Sequence, residues 1–420
     1  MLKRYIYILM LLITASGCAP KSHEADLSLN GLDFSNYIAI GSDYTAGYAN
    51  DGLFEEAQMT SFPQILMNQV RQTQEGANLP FLLPTLADGL DRYYQLRSFA
   101  YNECSEKHHH FSLGLSQYDS ASMWYTLNLN NRYNNMGIPY LRVADVDSLQ
   151  PATPEGFVNV YFDRMQNPNA RINYVSYIEK LAPTFFTVEL GFNDIWWYVW
   201  HGGQSPGGEI LTPVDEFEEK YRFLLNAAQK NHAAKGLLFT LPDVKDLPFL
   251  HYVGHQWENE SDCTPQPLYF SENGIVRTLN TGEYVTLKGY ENSISIGIGT
   301  DPVNSYLSDS VVISVTEGAL LQQYITEYNL IIQRLAQEYE LAVMDMNLVC
   351  KKLRQNQMMI NGKSMSSAYL TGGFYSLDGW TTTPQGNALL TYETIKAINA
   401  KYKASIPLPD VMSFSGIKFP

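Results

Sequence analysis

Apolar runs of strand length recur at four places along the chain. The first is Tyr37–Ile40, and the others are Phe185–Leu190, Gly236–Leu241 and Leu341–Met346. A continuous apolar run of about four to eight residues is typical of a strand that is buried on both faces. The four runs therefore predict the strands of a central sheet.

Segments with helical periodicity precede the last three runs. The clearest begins at Thr212-Pro213, an N-cap followed by proline at the first helical position, and a second leads directly into Leu341. The apolar stripes are Val214, Phe217, Tyr221, Leu224, Leu225 and Ala228 in the first segment, and Leu321, Tyr324, Ile325, Tyr328, Ile332 and Leu335 in the second. Such alternation predicts an α/β fold with a parallel sheet covered by helices on both faces.

Two long stretches interrupt this alternation, at about 72–170 and about 246–315. The first is rich in Asn, Tyr and Pro. The second contains the hairpin arms Ile275–Leu279 and Glu283–Leu287 around Asn280-Thr281-Gly282, followed by alternating Ile294, Ile296 and Ile298. We interpret both stretches as insertions into one domain spanning residues 34–420, the second insertion being partly β.

The composition limits the classes of partner. The chain has 420 residues, 45% of them hydrophobic and 17% charged, and this length and hydrophobic content are sufficient for a large buried core. Its net charge is −15. A nucleic-acid partner is not expected, because neutralising phosphates requires clustered Lys and Arg that this sequence does not have.

Residues 1–17 have the pattern of an export signal. The basic pair Lys3-Arg4 precedes the apolar run Tyr5–Ile13, which is too short to span a bilayer, and small residues follow. Residues 18–33 are mostly polar and predict a flexible tether.

The end of that signal, Ala15-Ser16-Gly17-Cys18, resembles a bacterial lipobox. The resemblance implies a lipid on Cys18 that anchors the chain to a membrane, and Ala19 implies passage to the outer membrane of a Gram-negative cell. The membrane face is not predicted. An ordinary secretory signal cut near Gly17 is the alternative.

The remaining cysteines are Cys104, Cys263 and Cys350. An odd number in an exported protein allows at most one disulfide within the chain and leaves one thiol free. Their wide spacing differs from that of a zinc site.

Three short blocks share their order and content with a hydrolase signature. They read Gly41-Ser42-Asp43-Tyr44-Thr45-Ala46-Gly47, then Gly191-Phe192-Asn193-Asp194, then Asp378-Gly379-Trp380-Thr381. They resemble blocks I, III and V of the SGNH (GDSL) hydrolases, where block I reads Gly-Asp-Ser-x-Thr-x-Gly and block V reads Asp-Gly-x-His-Pro. The resemblance implies a flavodoxin-like three-layer α/β/α fold.

The two residues that perform the chemistry in that family are replaced. Thr45 and Gly47 set the register so that Asp43 stands in the serine column, and Thr381 stands in the histidine column beside a retained Asp378. A triad without its histidine loses most of its rate, and threonine is not a base near neutral pH. The family resemblance therefore implies a degenerate triad.

The groups that stabilise the oxyanion are better preserved. By the same resemblance, Asn193 beside Gly191 is the side-chain donor, and the backbone donor of block II falls on Tyr140 or, displaced, on Gly137. Trp380 is expected to line the same pocket. The aromatic run 195–201 predicts a buried helix face, or else a stacking surface for a sugar or an acyl chain.

Histidines elsewhere leave one catalytic alternative open. Ser42 could act as a shifted nucleophile if His201, His251 or His255 reached it from another segment. An Asp43 nucleophile is a further alternative, although no histidine would activate water beside it. The run His108-His109-His110 predicts a solvated loop rather than a metal site. We expect neither a metal nor a cofactor.

Taken together, the sequence favours a non-catalytic outer-membrane lipoprotein. It would bind an acyl or glycan ligand in the retained pocket, or serve as the partner of an outer-membrane transporter. An active esterase or deacetylase that uses Ser42 is the competing class. A surface scaffold with a collapsed pocket is the third possibility, and a cleft filled by Trp380 or Tyr140 would be its sign.

Overall fold

The computed structural model describes residues 27–86, 90–117, 127, 131–204, 211–230, 233–258, 263–292, 294 and 297–420. The predicted signal peptide, the lipidation at Cys18 and the predicted strand position Ile296 lie outside the described residues. Within the described part of the chain, no helix has both the length and the apolar character needed to cross a membrane.

The strands, in chain order, are β1 Tyr37–Gly41, β2 Tyr94–Asn102, β3 Ser105–Leu115, β4 Asn135–Gly137, β5 Phe185–Glu189, β6 Lys235–Phe239, β7 Gln256–Glu258, β8 Pro265–Pro267, β9 Tyr269–Glu272, β10 Ile275–Thr278, β11 Tyr284–Val285, β12 Leu307–Ser308, β13 Val312–Ile313, β14 Ala342–Met344, β15 Met358–Ile360 and β16 Lys363–Met365. The helices are α1 Asp43–Ala46, α2 Glu55–Met59, α3 Phe62–Val70, α4 Val160–Asp163, α5 Tyr174–Leu181, α6 Asn193–Trp200, α7 Val214–Gln229, α8 Pro248–His251, α9 Leu287–Asn292, α10 Val315–Glu338, α11 Met346–Arg354 and α12 Pro384–Tyr402.

Five parallel strands form the central sheet, in the order β14-β6-β5-β1-β4. Counted by chain position from the β4 edge, this order is 2-1-3-4-5, which is the flavodoxin-like arrangement. The four predicted runs all lie in the sheet, so the predicted fold class is confirmed. The remaining strand of the sheet, β4 at its edge, was not among the predicted runs and comes from the segment assigned to block II.

Helices cover both faces of this sheet. α12 packs on α3 and β14, while α7 packs on α5 and α10. The predicted stripes are largely buried, as Phe217, Tyr221 and Leu224 show in α7. α7 begins at Val214, with Pro213 rather than Thr212 as the N-cap residue, a shift of one position from the prediction.

The second insertion is partly β, but its predicted hairpin is wrong. β10 pairs with β9, and β11 pairs with β13. The turn at Asn280 does form, because Glu283 N–H donates to the Asn280 carbonyl at 3.1 Å. Ile294 and Ile298 lie outside strands. β10 forms a tighter hairpin with the strand that precedes it, across Asn273-Gly274, which both have positive φ, and β11 pairs with a strand farther along the chain.

The predicted tether is too long at its C-terminal end. Leu29 and Leu32 are buried in the core. Asn30 Nδ2 donates to the Tyr402 carbonyl at 2.9 Å, and Ser28 Oγ donates to Glu75 at 2.7 Å. Residues 28–33 therefore belong to the folded domain.

Candidate functional site

The candidate site lies at the carboxyl ends of β1 and β5. In a 2-1-3-4-5 sheet the strand order reverses between these two strands, and ligands of open α/β sheets bind at such a switch point. Asp43 begins α1 directly after β1, and Asn193 begins α6 shortly after β5. The fold therefore brings blocks I and III together, as the family resemblance implies.

Asp43 accepts both of the hydrogen bonds that the family would offer to an oxyanion. Asn193 Nδ2 donates to Asp43 Oδ2 at 2.6 Å, and Tyr140 N–H donates to Asp43 Oδ1 at 3.2 Å. Asp43 is 1% exposed and Asn193 is fully buried. By the family resemblance, these two donors would otherwise face the position where charge develops in an acyl-transfer reaction.

Tyr140, and not Gly137, is the block II residue that reaches Asp43. Tyr140 has a φ of +66°, a left-handed conformation that favours glycine, which agrees with its place in a glycine column. Gly137 N–H donates instead to Asn135 Oδ1 at 2.8 Å. A Cβ on Gly137 would lie 2.1 Å from the Ala46 nitrogen, so this glycine permits the close approach of β4 to α1.

Asp194 holds the block II loop in place. Its carboxylate accepts from Val143 N–H at 2.7 Å, from Ala144 N–H at 3.1 Å and from Thr212 Oγ1 at 2.7 Å. Burial raises the pKa of Asp194 to about 6. The acidic residue beside Asn193 therefore positions the Tyr140 amide indirectly.

Glu189 is a buried carboxylate that the sequence analysis did not single out. It accepts from Ser42 N–H at 3.2 Å, from Ser42 Oγ at 3.2 Å, from Thr45 N–H at 3.1 Å and from Thr45 Oγ1 at 3.0 Å. Its signal was visible, since Glu189 is the one ionisable residue in the apolar run Phe185–Leu190.

The two neighbouring carboxyl groups both resist ionisation. Burial raises the pKa of Asp43 to about 7, against the opposing effect of the Asn193 and Tyr140 hydrogen bonds. Burial and the charge of Asp43 raise the pKa of Glu189 to about 8. Near neutral pH the pair therefore retains protons that exposed carboxyl groups would have lost.

Thr381, which stands in the histidine column of the family resemblance, bonds Asp378 and Ser376 through its hydroxyl and Asp378 through its amide. Its Oγ1 donates to Asp378, its N–H donates to Asp378 Oδ1 at 2.8 Å, and its hydroxyl bonds Ser376 Oγ at 2.9 Å. Trp380 N–H donates to Asp378 Oδ1 at 3.0 Å. Asp378, which would orient a catalytic histidine in the family, here caps its own loop.

A tight turn, Ala49–Gly52, closes over this loop. Ala49 and Gly52 exchange two backbone hydrogen bonds, and Asn50 and Asp51 between them both have positive φ. Asn50 N–H donates to Ser376 Oγ at 2.9 Å, and Leu377 N–H donates back to Asn50 Oδ1 at 2.9 Å. Asp51 N–H donates to Asp378 Oδ2 at 3.1 Å.

Aromatic rings fill the rest of the cleft. Trp380 is 1% exposed and stacks on Trp196, with ring centroids 4.6 Å apart. The hydroxyls of Tyr48 and Tyr140 bond each other. The predicted pocket around Asp43, Tyr140, Asn193, Asp378, Trp380 and Thr381 is closed at Asp43, Asn193, Trp380 and Thr381, whose side chains are buried, whereas Asp378 lines a neighbouring cavity. A cleft filled by Trp380 is the sign expected of a scaffold with a collapsed pocket. Most of the run 195–201 forms the predicted buried helix face.

A small cavity of about 190 Å³ remains beside the closed cleft. Charged and aromatic side chains line it, namely Asp51, Arg92, Tyr94, Trp200, Phe249, Lys288, Glu291 and Asp378, together with Leu287. Burial raises the pKa of Asp51 and of Glu291 to about 7. Lys288 Nζ lies over the Trp200 ring, 4.9 Å from its centroid.

No described histidine bonds the Ser42 side chain, which donates to Glu189. His201 Nδ1 bonds the Trp197 carbonyl at 2.7 Å, His251 Nε2 bonds Ser367 Oγ at 3.1 Å, and His255 Nε2 bonds Thr281 Oγ1 at 3.5 Å. A triad built on Ser42 therefore does not form in this geometry.

The prediction of a solvated loop at His108-His109-His110 is also wrong. These residues lie in β3, and His108 and His109 are buried. His108 Nδ1 bonds Glu258 at 2.9 Å and its Nε2 bonds the Tyr252 carbonyl at 2.7 Å. The described residues contain no cluster of three or more His, Cys, Asp or Glu that could hold a metal ion.

Comparison with known proteins yields little. No family profile and no curated protein matches the sequence. Among solved structures, the chain is similar to that of a possible lipase from Chitinophaga pinensis, with 12% identity and a TM-score of 0.30, over 87% of this chain and 97% of that one. A TM-score this low does not assign a fold or a function to this chain. The fold is assigned here from the strand order of the sheet, and the site from its hydrogen bonds.

Proposed function

We propose that this chain is a catalytically inert SGNH-type protein that acts by binding. The observation that carries the proposal is the carboxylate of Asp43, which accepts from both Asn193 Nδ2 and Tyr140 N–H. A substrate carbonyl would have to displace that carboxylate from a buried site. Thr381 cannot take over the proton transfer of a histidine.

A glycan suits the remaining space better than an acyl chain does. Five of the side chains that line the small cavity are charged, and three of these are carboxylates, Asp51, Glu291 and Asp378. Carboxylates accept hydrogen bonds from sugar hydroxyls, and the Arg92 and Lys288 side chains can donate to sugar oxygens. The cavity would hold one sugar unit of a longer chain.

A second observation bears on the proposed role as the partner of an outer-membrane transporter. The two insertions expose large apolar side chains, with Tyr101 and Phe157 at 74% and 71% in the first and Ile275 and Val303 at 71% and 76% in the second. Contiguous exposed apolar surface is typical of sites for protein partners, whereas single exposed apolar side chains are common on any surface, so this proposal requires that these side chains form one patch. In this proposal a lipid on Cys18 would hold the chain at the outer membrane, where such a partner resides.

Fluorophosphonate labelling with mass-spectrometric mapping tests the inertness directly. We expect no labelling of the chain that lacks residues 1–18 and no turnover of short-chain esters. The double change Asp43→Ser with Thr381→His should gain labelling at position 43, since Asn193 and Tyr140 would again face an oxyanion. Labelling of the wild type at Ser42, with ester turnover abolished by Ser42→Ala, would overturn the proposal in favour of an esterase.

The anchor has a separate test. A chain expressed with its leader should incorporate radiolabelled palmitate and fractionate with the outer membrane, whereas Cys18→Ala should do neither. Release of an unlipidated wild-type chain would favour the ordinary secretory signal.

A further inference from the structure

The turn Ala49–Gly52 lies between two cavities. One is the small charged cavity described above, and the other measures about 480 Å³, which is within the size range of ligand sites. Asn50 lines the larger cavity, and the next residue, Asp51, lines the small one. Leu377 and Asp378 divide between the two cavities in the same way. The turn and the block V loop therefore form a wall between the two spaces.

Hydrogen bonds from two directions fasten the middle of this turn. The bonds to the block V loop described above all involve Asn50 or Asp51. In addition, Tyr94 N–H donates to the Asn50 carbonyl at 2.7 Å, and Tyr94 lines both cavities. A movement of Asn50 and Asp51 alone would break all of these bonds and open the wall.

The ends of the turn are held more firmly than its middle. Ala49 and Gly52 are buried, whereas Asn50 and Asp51 are partly exposed. A Cβ on Gly52 would lie 2.1 Å from the Arg92 carbonyl oxygen, so the chain passes very close to the start of β2 at this point. The two middle residues have φ values of +56° and +60°, a left-handed conformation that Asn and Asp adopt more readily than most residues.

Asp51 places an ionisable group in this wall. Its carboxyl group lines the small cavity together with Asp378 and with Glu291 of α9. Burial and the charge of Asp378 raise the pKa of Asp51 to about 7. Burial and the charges of Asp51 and Asp378 raise the pKa of Glu291 to about 7 as well. As the pH rises through about 7, negative charge therefore accumulates around one small cavity.

Other charged and titratable groups around Asp51 offset this effect only in part. Arg92 and Lys288 line the same cavity, and Tyr48 Oη donates to Asp51 Oδ1 at 3.2 Å, whereas Asp91 adds a further negative charge. The pKa of Asp51 stays raised with all of these groups in place. Burial, together with acidic neighbours that include Asp51, also raises the pKa of three phenols, those of Tyr94, Tyr140 and Tyr161.

We propose that the turn Ala49–Gly52 is a pH-sensitive gate, which closes the wall between the two cavities while Asp51 is protonated and moves away when Asp51 is ionised. Asp51 lies on the turn itself, so displacement of the turn is the smallest movement that returns its carboxylate to water. Opening joins the two cavities into one continuous space. The gate goes beyond the binding role proposed above and does not depend on which ligand is bound.

The direction and the size of the pH effect follow from the protonation of Asp51. Because the pKa in the closed state lies above the usual value of 3.8, the stabilisation of the closed turn is full below about pH 4 and is lost as the pH rises through about 7. An open turn in which Asp51 has its usual pKa becomes about 90-fold more populated, relative to the closed turn, between pH 5 and pH 8.

Hydrogen exchange at the amides of Asn50, Asp51 and Leu377 measures this opening, because each amide is bonded across the wall. After correction for the intrinsic pH dependence of exchange, their protection in wild type should fall at least tenfold from pH 5 to pH 8. Asp51→Asn, which retains a residue suited to the left-handed conformation, should lose most of this fall. Glu291→Gln removes only a neighbouring charge and should keep more of it.

The Thr381 amide is the internal reference, because it bonds Asp378 within the block V loop and not the turn. It should remain better protected than the three turn amides at pH 8. Equal protection of the turn amides at pH 5 and pH 8 would overturn the proposal, and so would an undiminished fall in Asp51→Asn. Exchange of Thr381 as fast as that of the turn would also overturn it, because the whole cleft would then open together.

Discussion

At the scale of single residues, the candidate site shows which assignments depend on register alone. Asp43 and Thr381 could be placed in their columns from the spacing of neighbouring residues, and the φ of Tyr140 agrees with its glycine column. Glu189 and the covering turn at Asn50 could not be placed, because their roles depend on contacts between distant segments. The sequence therefore placed Asp43 and Thr381 by their spacing but did not predict the closure of the cleft.

The raised pKa of Asp43 predicts a specific pH dependence. The folded value is about 7, above the usual carboxyl value of 3.8, because of burial. The stabilisation that this group contributes is therefore full below about pH 4 and is lost as the pH rises through about 7. Asp43→Asn should remove that loss, which amounts to a few kcal/mol at most.

Urea unfolding of wild type and Asp43→Asn at pH 5 and pH 8 measures this effect. The variant should gain stability relative to wild type between the two pH values. Asp33→Asn, at an exposed position, is the control and should run parallel to wild type. A constant difference between wild type and Asp43→Asn would contradict the account.

Gly191 is expected to be intolerant of a side chain. Its φ is +115°, and a Cβ would lie 2.9 Å from the Phe217 ring. Gly191→Ala should lower the free energy of unfolding by about 1–3 kcal/mol through backbone strain and overpacking. Gly318→Ala in α10, where the nearest atom is 4.0 Å away, should be neutral or stabilising by about 0.5–1 kcal/mol. Equal effects in thermal or urea unfolding would refute this assignment.

At the scale of elements, the sheet and its helices were predictable, whereas the partly β character of the second insertion was predictable but its strand pairing was not. Continuous apolar runs predict β1, β5, β6 and β14, because these strands are largely buried on both faces. Apolar stripes predict α7 and α10, because each helix buries one face. The hairpin of β2 and β3 lacks such a pattern because its register shifts between Leu96 and Ser98. A bulge interrupts the alternation of faces on which strand prediction depends.

The disulfide joins the two insertions. Cys104 and Cys263 are bonded, and Cys350 is the buried free cysteine, which confirms the expectation of at most one disulfide with one thiol left free. The double change Cys104→Ser with Cys263→Ser should destabilise the protein by about 2–5 kcal/mol, because a long loop is no longer closed in the unfolded chain.

Urea unfolding checks this prediction, with reduced wild type as the comparison. Reduced wild type and the double variant should unfold at the same midpoint, below that of oxidised wild type. An unchanged midpoint in the variant would mean that packing alone, including the bond from His108 to Glu258, holds the insertions together.

At the scale of the whole molecule, the cleft is closed by contacts from several segments. Block I, block II, block III, the turn at Asn50 and the block V loop each contribute a contact to it, and these segments are far apart in the chain. The same architecture leaves a small cavity lined by charged side chains and a second cavity of about 480 Å³.

We propose that the side chain of Asp43 occupies the place that an oxyanion would take. The most direct measurement is the effect of formate on the unfolding midpoint of Asp43→Ala, which leaves Asn193 Nδ2 and Tyr140 N–H without their acceptor. Formate should raise this midpoint, as a ligand of the folded state does, but should have no such effect on wild type or on Asp43→Ala with Asn193→Ala. An equal response of all three proteins to formate would contradict it.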